Sequence, residues 1–262
     1  MWESLKMGFY QTFILEDNYQ YFVKGLGTTL TVTVFALVIG VIIGVLVAII
    51  RSAHDQQPER KKGLPLKILN GICKVYLTVI RGTPMMVQAM VIYWGYAFAT
   101  GGKTLALIPS GIFIVSINTG AYMAEIVRGG IISVDKGQFE AASAIGMNHV
   151  KTMVYIVIPQ VMRNILPSIS NEFVINIKDT SVLNVIGVAE LYYYAGIIRK
   201  MNFQIFQTYV VICVLYFALT FTITKLLRLC EKKLDGKDSY TICGSQSDPN
   251  AEIHIAAQGG AQ

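Results

Sequence analysis

Charged side chains are few. They make up 15% of the 262 residues, against about 25% in an average soluble domain, while hydrophobic residues reach 53%. That balance excludes an ordinary water-soluble fold and predicts a chain embedded in a membrane. Histidine is almost missing: His54, His149 and His254 all lie outside the apolar runs. There is no H-E-x-x-H pair and no serine in a G-x-S-x-G elbow, so the sequence lacks the parts of an integral membrane enzyme. The four cysteines, Cys73, Cys213, Cys230 and Cys243, form no C-x-x-C pair and predict no metal site. Cys230, just past the last apolar run, reads as an ordinary interfacial thiol. A nucleotide site is lacking too: Gly101-Gly102-Lys103-Thr104 ends like a phosphate-binding loop, but Ala97 stands where that pattern needs glycine. The opening residues do not follow the basic-then-apolar order of a secretory signal.

What is present is a series of apolar runs. Residues 28–50 carry no charge and, at 1.5 Å per residue, extend about 34 Å, enough to cross a hydrocarbon core of about 30 Å. Gly40 and Gly44 form a G-x-x-x-G that permits close helix approach, although glycine is frequent in membrane helices in any case. A basic loop with Pro58, Gly63 and Pro65 follows. Further spans are predicted over 75–99, 105–127, 160–177 and 206–227. Pro84 and Gly82 put a kink early in the second, leaving Arg81 near enough to the boundary to snorkel out. Residues 1–25, rich in Trp2, Phe9, Tyr10, Phe13, Tyr19, Tyr21 and Phe22, read as a short helix in the membrane interface. Residues 26–230 form the transmembrane domain, with a less regular Tyr-rich stretch around Tyr192 to Tyr194. Residues 231–262 are expected to be a disordered tail. The fold class is thus an all-α integral membrane protein with five transmembrane helices.

The charge pattern gives an orientation. Five Lys or Arg fall on one side of such a five-span chain (Lys6, Lys24, Lys103, Arg199 and Lys200) and fourteen on the other, in the 51–74 loop, the 128–155 loop and the C-terminal segment. Positive charge stays in the cytoplasm, so the N-terminus is expected outside and the C-terminus inside. The net charge of +6 is therefore a matter of topology and not of nucleic-acid binding.

Between the third and fourth spans lies Gln138 to Pro159, with Glu140-Ala141-Ala142, Ala144, Gly146 and then Ile156-Val157-Ile158-Pro159. Small side chains at Ala141, Ala142, Ala144 and Gly146 give such a helix a bare flank on which another protein could dock. This pattern resembles the cytoplasmic loop of binding-protein-dependent ABC importers. Gly25 to Thr31, Arg81-Gly82-Thr83-Pro84, Ala121-Tyr122 with Glu125 to Ile131, and Asn171-Glu172-Phe173 followed by Lys178-Asp179-Thr180-Ser181 likewise resemble the polar amino acid permeases of that family, over most of residues 20–225. Ile158 departs from the commoner leucine, and the family does not imply the tail beyond Leu234.

The resemblance implies a type I ABC importer permease fold with a coupling helix at about 138–150. Glu140, Ala141, Ala142, Gly146 and Pro159 would form the contact with a cytoplasmic ATPase, and Arg81 to Pro84 would lie near the cytoplasmic side. It implies a second permease chain, identical or homologous, and an extracytoplasmic amino-acid-binding protein. ATP and Mg would belong to the ATPase, with no cofactor bound by this chain.

Asn118, Tyr122 and Glu125, at i, i+4 and i+7, share one face of the third span, where an ion pair of Glu125 with Arg128 is the simplest expectation. On the fourth, Glu172, Asn176 and Asp179 share a face, followed by Thr180 and Ser181. Glu172 and Asn118 fall at similar depth and mark a candidate substrate path; the alternative is that Glu172 pairs with Lys178 or a neighbouring helix and serves packing. An ion-gradient-driven secondary transporter or channel is the rival function, although no internal repeat is visible.

Overall fold

The computed structural model describes residues 2–57 and 63–234. The tail beyond Leu234, with Cys243 and His254, and residues 58–62 of the basic loop lie outside the described residues. Among the described residues every regular element is helical. Helix α1 (Trp2–Phe13) is followed by α2 (Tyr19–Gln56), α3 (Leu64–Gly82), α4 (Met85–Ala99), α5 (Leu107–Ile132), α6 (Lys136–Ala144), α7 (His149–Thr152), α8 (Ile158–Asp179), α9 (Leu191–Asn202) and α10 (Ile205–Leu234). Three of them, α2, α5 and α10, are individually long and apolar enough to cross a membrane, and two bent pairs bring the number to as many as five.

The centre of the molecule is the α2–α5 pair. A methyl group at Gly40 would stand 2.7 Å from Thr119 Cβ, and one at Gly44 would stand 2.8 Å from the Met123 carbonyl carbon. The two helices therefore touch backbone to backbone, which is what small residues allow where lipid removes the hydrophobic drive for association. Around this seam, Val32, Ala36, Ala89, Ile114, Val115 and Leu183 form one apolar cluster, and Ala48, Met123, Val127, Val157, Val161 and Ile165 form another.

The second expected span is broken. Thr83 and Pro84 are both extended, α3 and α4 diverge by 114°, and a simple kink is thereby corrected to a corner. Proline holds its predecessor out of the helical region and lacks the donor that would continue the ladder. Gln88 caps the corner, its Nε2 lying 2.7 Å from Ile80 O and 2.9 Å from Thr83 O. Arg81 consequently sits in the last turn of a short helix instead of snorkelling along a continuous one.

The Tyr-rich stretch is the regular helix α9. Glu190, fully buried, caps its N-terminus by accepting from Tyr192 N at 2.9 Å and Tyr193 N at 2.7 Å, and Tyr216 of α10 donates to it at 2.8 Å. Leu191, Ala195 and Ile198, at i, i+4 and i+7, then pack against Phe22 of α2. The N-terminal helix α1 is tied to the α9–α10 corner, where Asn202 donates to Thr12 at 3.1 Å.

Candidate functional site

The segment from Asp135 to Pro159 projects between α5 and α8. Asp135 starts α6 by accepting from Gly137 N at 2.6 Å. The helix then stops at Ala144, short of the expected 138–150. Gly146 adopts φ +78°, and Gly146 N and Met147 N donate to Ser143 O and Ala142 O, each at 3.0 Å. This is a Schellman-type end, in which glycine is used because other residues resist the left-handed region. The bare flank needs a second correction, because Ala142 is 1% exposed and faces the protein. Glu140, Ala141, Ala144 and Gly146 remain exposed.

Beside them stand apolar side chains that the sequence reading passed over: Ile145 at 76% exposure, Val150 at 68% and Tyr155 at 72%. From Met153 to Val157 the chain makes a π-turn, Ile158 N bonding to Met153 O, before α8 begins. Pro159 has no N–H to offer its preceding turn, which accounts for the widened ladder. Val157 is fully buried, so the exposed segment is continuous with a firmly packed α8.

The residues of the candidate substrate path divide into two groups. Asn118 donates to Gln88 of α4 at 3.3 Å, and its neighbour Thr119 donates to Asn176 of α8 at 3.0 Å. Three helices thus meet in a buried polar layer. Asn176 Nδ2 is buried without a partner, and Glu172 is buried one turn away. Asp179 and Ser181 are half-buried at the end of α8, while the buried Thr180 hydroxyl donates to Ile177 O at 2.8 Å. Lys178 is exposed, and no ion pair joins it to Glu172 among the described residues.

Tyr122 is in the second group. Its ring lies 5.7 Å from the Arg81 guanidinium, and with Arg51, Lys74, Leu77, Thr78, Arg81, Gly82 and Glu125 it lines a cavity of about 530 Å³. Glu125 faces Arg51 at 3.4 Å and Arg81 at 3.8 Å; Arg128 faces Asp55 at 3.5 Å. The expected Glu125–Arg128 pair is therefore corrected: the end of α2 lies alongside α5 and supplies partners to both. Gln88, Thr119 and Arg51 were missed as site residues. Gln88 had a signal, as a lone amide inside the apolar run Met85–Ala99.

Comparison with known proteins adds independent findings. The family model described as binding-protein-dependent transport system inner membrane component matches residues 63–234. The glutamine transport system permease protein GlnP of Escherichia coli (strain K12) is 36% identical over 167 residues, covering 64% of this chain and 76% of the relative. The L-cystine transport system permease protein TcyB of Bacillus subtilis (strain 168) is 40% identical over 168 residues, covering 64% of this chain and 71% of the relative. Among solved structures, an amino acid ABC transporter crystallised with histidines superposes with a TM-score of 0.73 at 37% identity, covering 82% of this chain and 94% of that one. The MetNI methionine ABC transporter in an inward-facing conformation gives a TM-score of 0.64 at 14% identity, covering 82% and 99%, a likeness of fold alone.

Proposed function

The chain belongs to the family of binding-protein-dependent transport system inner membrane components, and on that premise we propose how it works as the permease subunit of an ATP-driven importer of a polar amino acid. Two such chains, identical or homologous, form the pore, each crossing the membrane five times with its N-terminus outside. An extracytoplasmic binding protein delivers the cargo, and separate cytoplasmic subunits bind ATP with Mg and hydrolyse it. The observation that carries the coupling is the projecting α6 segment, where exposed Glu140 and Ala141 adjoin exposed Ile145, Val150 and Tyr155. Largely exposed apolar side chains beside a polar anchor fit a docking surface for the ATPase.

A push on α6 would travel through the short α7 and the π-turn into α8, whose Asn176 is bonded to Thr119 of α5. The ATPase would thereby move the walls of the polar layer and alternate its access. In that layer the Asn176 amide, whose Nδ2 is buried without a partner, would donate to a cargo carboxylate, and Glu172 with Asp179 would receive its ammonium. Glutamine and cystine, the cargoes in the names of the relatives, both present that head group. The test is uptake of radiolabelled glutamine, arginine and cystine by proteoliposomes. Uptake that needs ATP, the ATPase and the binding protein is the expected result; uptake driven by an ion gradient through this chain alone would overturn the proposal in favour of a secondary carrier.

A further inference from the structure

The cavity beneath Tyr122 carries more positive charge than its own carboxylate can neutralise. Arg51 of α2, with Lys74 and Arg81 of α3, surrounds the single acid Glu125 of α5, for a formal excess of two positive charges. Both guanidiniums address the same oxygen, Oε1, at 3.4 and 3.8 Å, well beyond the roughly 2.7–2.9 Å of a formed charge-assisted bond. Arg51 Nε is buried without a partner, and Lys74, exposed at the rim, has no ion pair among the described residues. The donors are gathered and left open, which suits an incoming oxyanion.

The same cavity also suits a cation. The face of Tyr122 and the carboxylate of Glu125 bind an ammonium once Arg81, whose guanidinium stands 5.7 Å from that ring and 3.8 Å from that carboxylate, turns to the incoming oxyanion. A zwitterionic α-amino acid head group satisfies both halves, its carboxylate on Arg81, Arg51 and Lys74 and its ammonium between Tyr122 and Glu125. Placement favours this ligand over others. Tyr122 is one turn along α5 from Asn118, and Gln88, the partner of Asn118, caps the corner that holds Arg81. The buried polar layer and the cavity thus lie on adjacent turns of one α5 face, the cavity towards the end of α2 where the basic loop begins.

We propose that this cavity is a second amino acid station at the cytoplasmic end of the path, where cargo rests before release and where cargo accumulated in the cytoplasm binds back and slows the cycle. The inference rests on the importer function proposed above. The test uses the permease–ATPase complex in proteoliposomes with the ATPase outward and loaded binding protein in the lumen. L-glutamine is added outside while ATP hydrolysis and lumen-to-outside transport are followed, with L-arginine and L-cystine run alongside.

In the wild type, external cargo is expected to inhibit hydrolysis, and its decarboxylated analogue (4-aminobutanamide for glutamine) to inhibit far less. Lys74→Gln and Arg81→Gln should each raise the half-inhibiting concentration about tenfold; Lys74 makes no ion pair among the described residues, so its removal tests binding with little risk of unfolding. Transport that proceeds in the wild type without inhibition, or variants inhibited at the wild-type concentration, would overturn the inference alone. Absence of transport of all three amino acids would overturn the importer proposal and this inference with it. An effect of the substitutions that appears only in liposomes containing phosphatidylglycerol, and is indifferent to amino acid, would assign the cavity to a lipid headgroup and overturn the inference as well.

Discussion

Replacing Gly44 by alanine tests the α2–α5 seam, whose two helices carry Arg51, Asn118, Thr119, Tyr122 and Glu125. The added methyl carbon would lie 2.8 Å from the Met123 carbonyl carbon and 2.9 Å from the Ala124 nitrogen, both backbone atoms that cannot rotate away. Carbon contacts are comfortable at about 3.5–4.0 Å, and Met123 Cβ lies nearer still, so the helices must separate by roughly 1 Å along the contact or distort. Overpacking of this kind costs about 1–3 kcal/mol. Alanine over glycine inside a helix returns about 1 kcal/mol, for a net loss of about 0–2 kcal/mol. Gly27, on the same helix, has nothing within 4 Å of its Cβ direction, so Gly27→Ala should be neutral or stabilising by up to about 1 kcal/mol. Reversible unfolding of the purified chain in mixed micelles, titrated with sodium dodecyl sulfate, should separate the two variants by about 2 kcal/mol. Equal stability of Gly44→Ala and Gly27→Ala would refute the backbone-to-backbone contact.

Two further outcomes follow from the polar layer and from the orientation. Asn176→Ala and Asn118→Ala, in assembled complexes, should alter uptake rate and cargo preference about tenfold while basal ATP hydrolysis persists, since each removes one head-group or layer hydrogen bond worth about 1–2 kcal/mol; unchanged transport and selectivity in both would remove these residues from the path. In a background without native cysteines, a membrane-impermeant thiol reagent added to intact cells should label a Cys placed at Lys103 or Lys200 and should miss one at Lys62 or Lys136. The reverse pattern would invert the chain.

The apolar runs were legible because lipid demands them: α2, α5 and α10 follow directly from long stretches low in charge. The spacing of Gly40 and Gly44 permitted a close approach without distinguishing it from the ordinary abundance of glycine in membrane helices, and the corner at Pro84 was visible as a weakness, though not as a turn of 114°. Other features were hidden for identifiable reasons. The helix α9 depends on Glu190 acting as a cap, while composition alone drew attention to the tyrosines around it. Gly146 was valued for lacking a side chain, whereas its backbone conformation is what ends α6. Local spacing paired Glu125 with Arg128, but ion pairing answers to the neighbouring helix, and the end of α2 brought Arg51 to one and Asp55 to the other. The division of Asn118 from Tyr122 is of the same kind, since adjacent turns of α5 meet different partners, Gln88 and Arg81.

Coupling through the α6 segment is tested most directly by Glu140→Lys and Gly146→Trp. Glu140 is exposed and makes no ion pair among the described residues, and nothing lies within 4 Å of the Gly146 Cβ direction. Neither change should disturb membrane insertion or the packing of the bundle, although any side chain at Gly146, with its φ of +78°, adds local backbone strain of about 1 kcal/mol. The measurement is ATP hydrolysis by the reconstituted complex with and without loaded binding protein. Loss of the stimulation in both variants, with the permease still inserted and folded, is the predicted result; stimulation at the wild-type level in both would contradict the assignment of this segment as the contact with the ATPase.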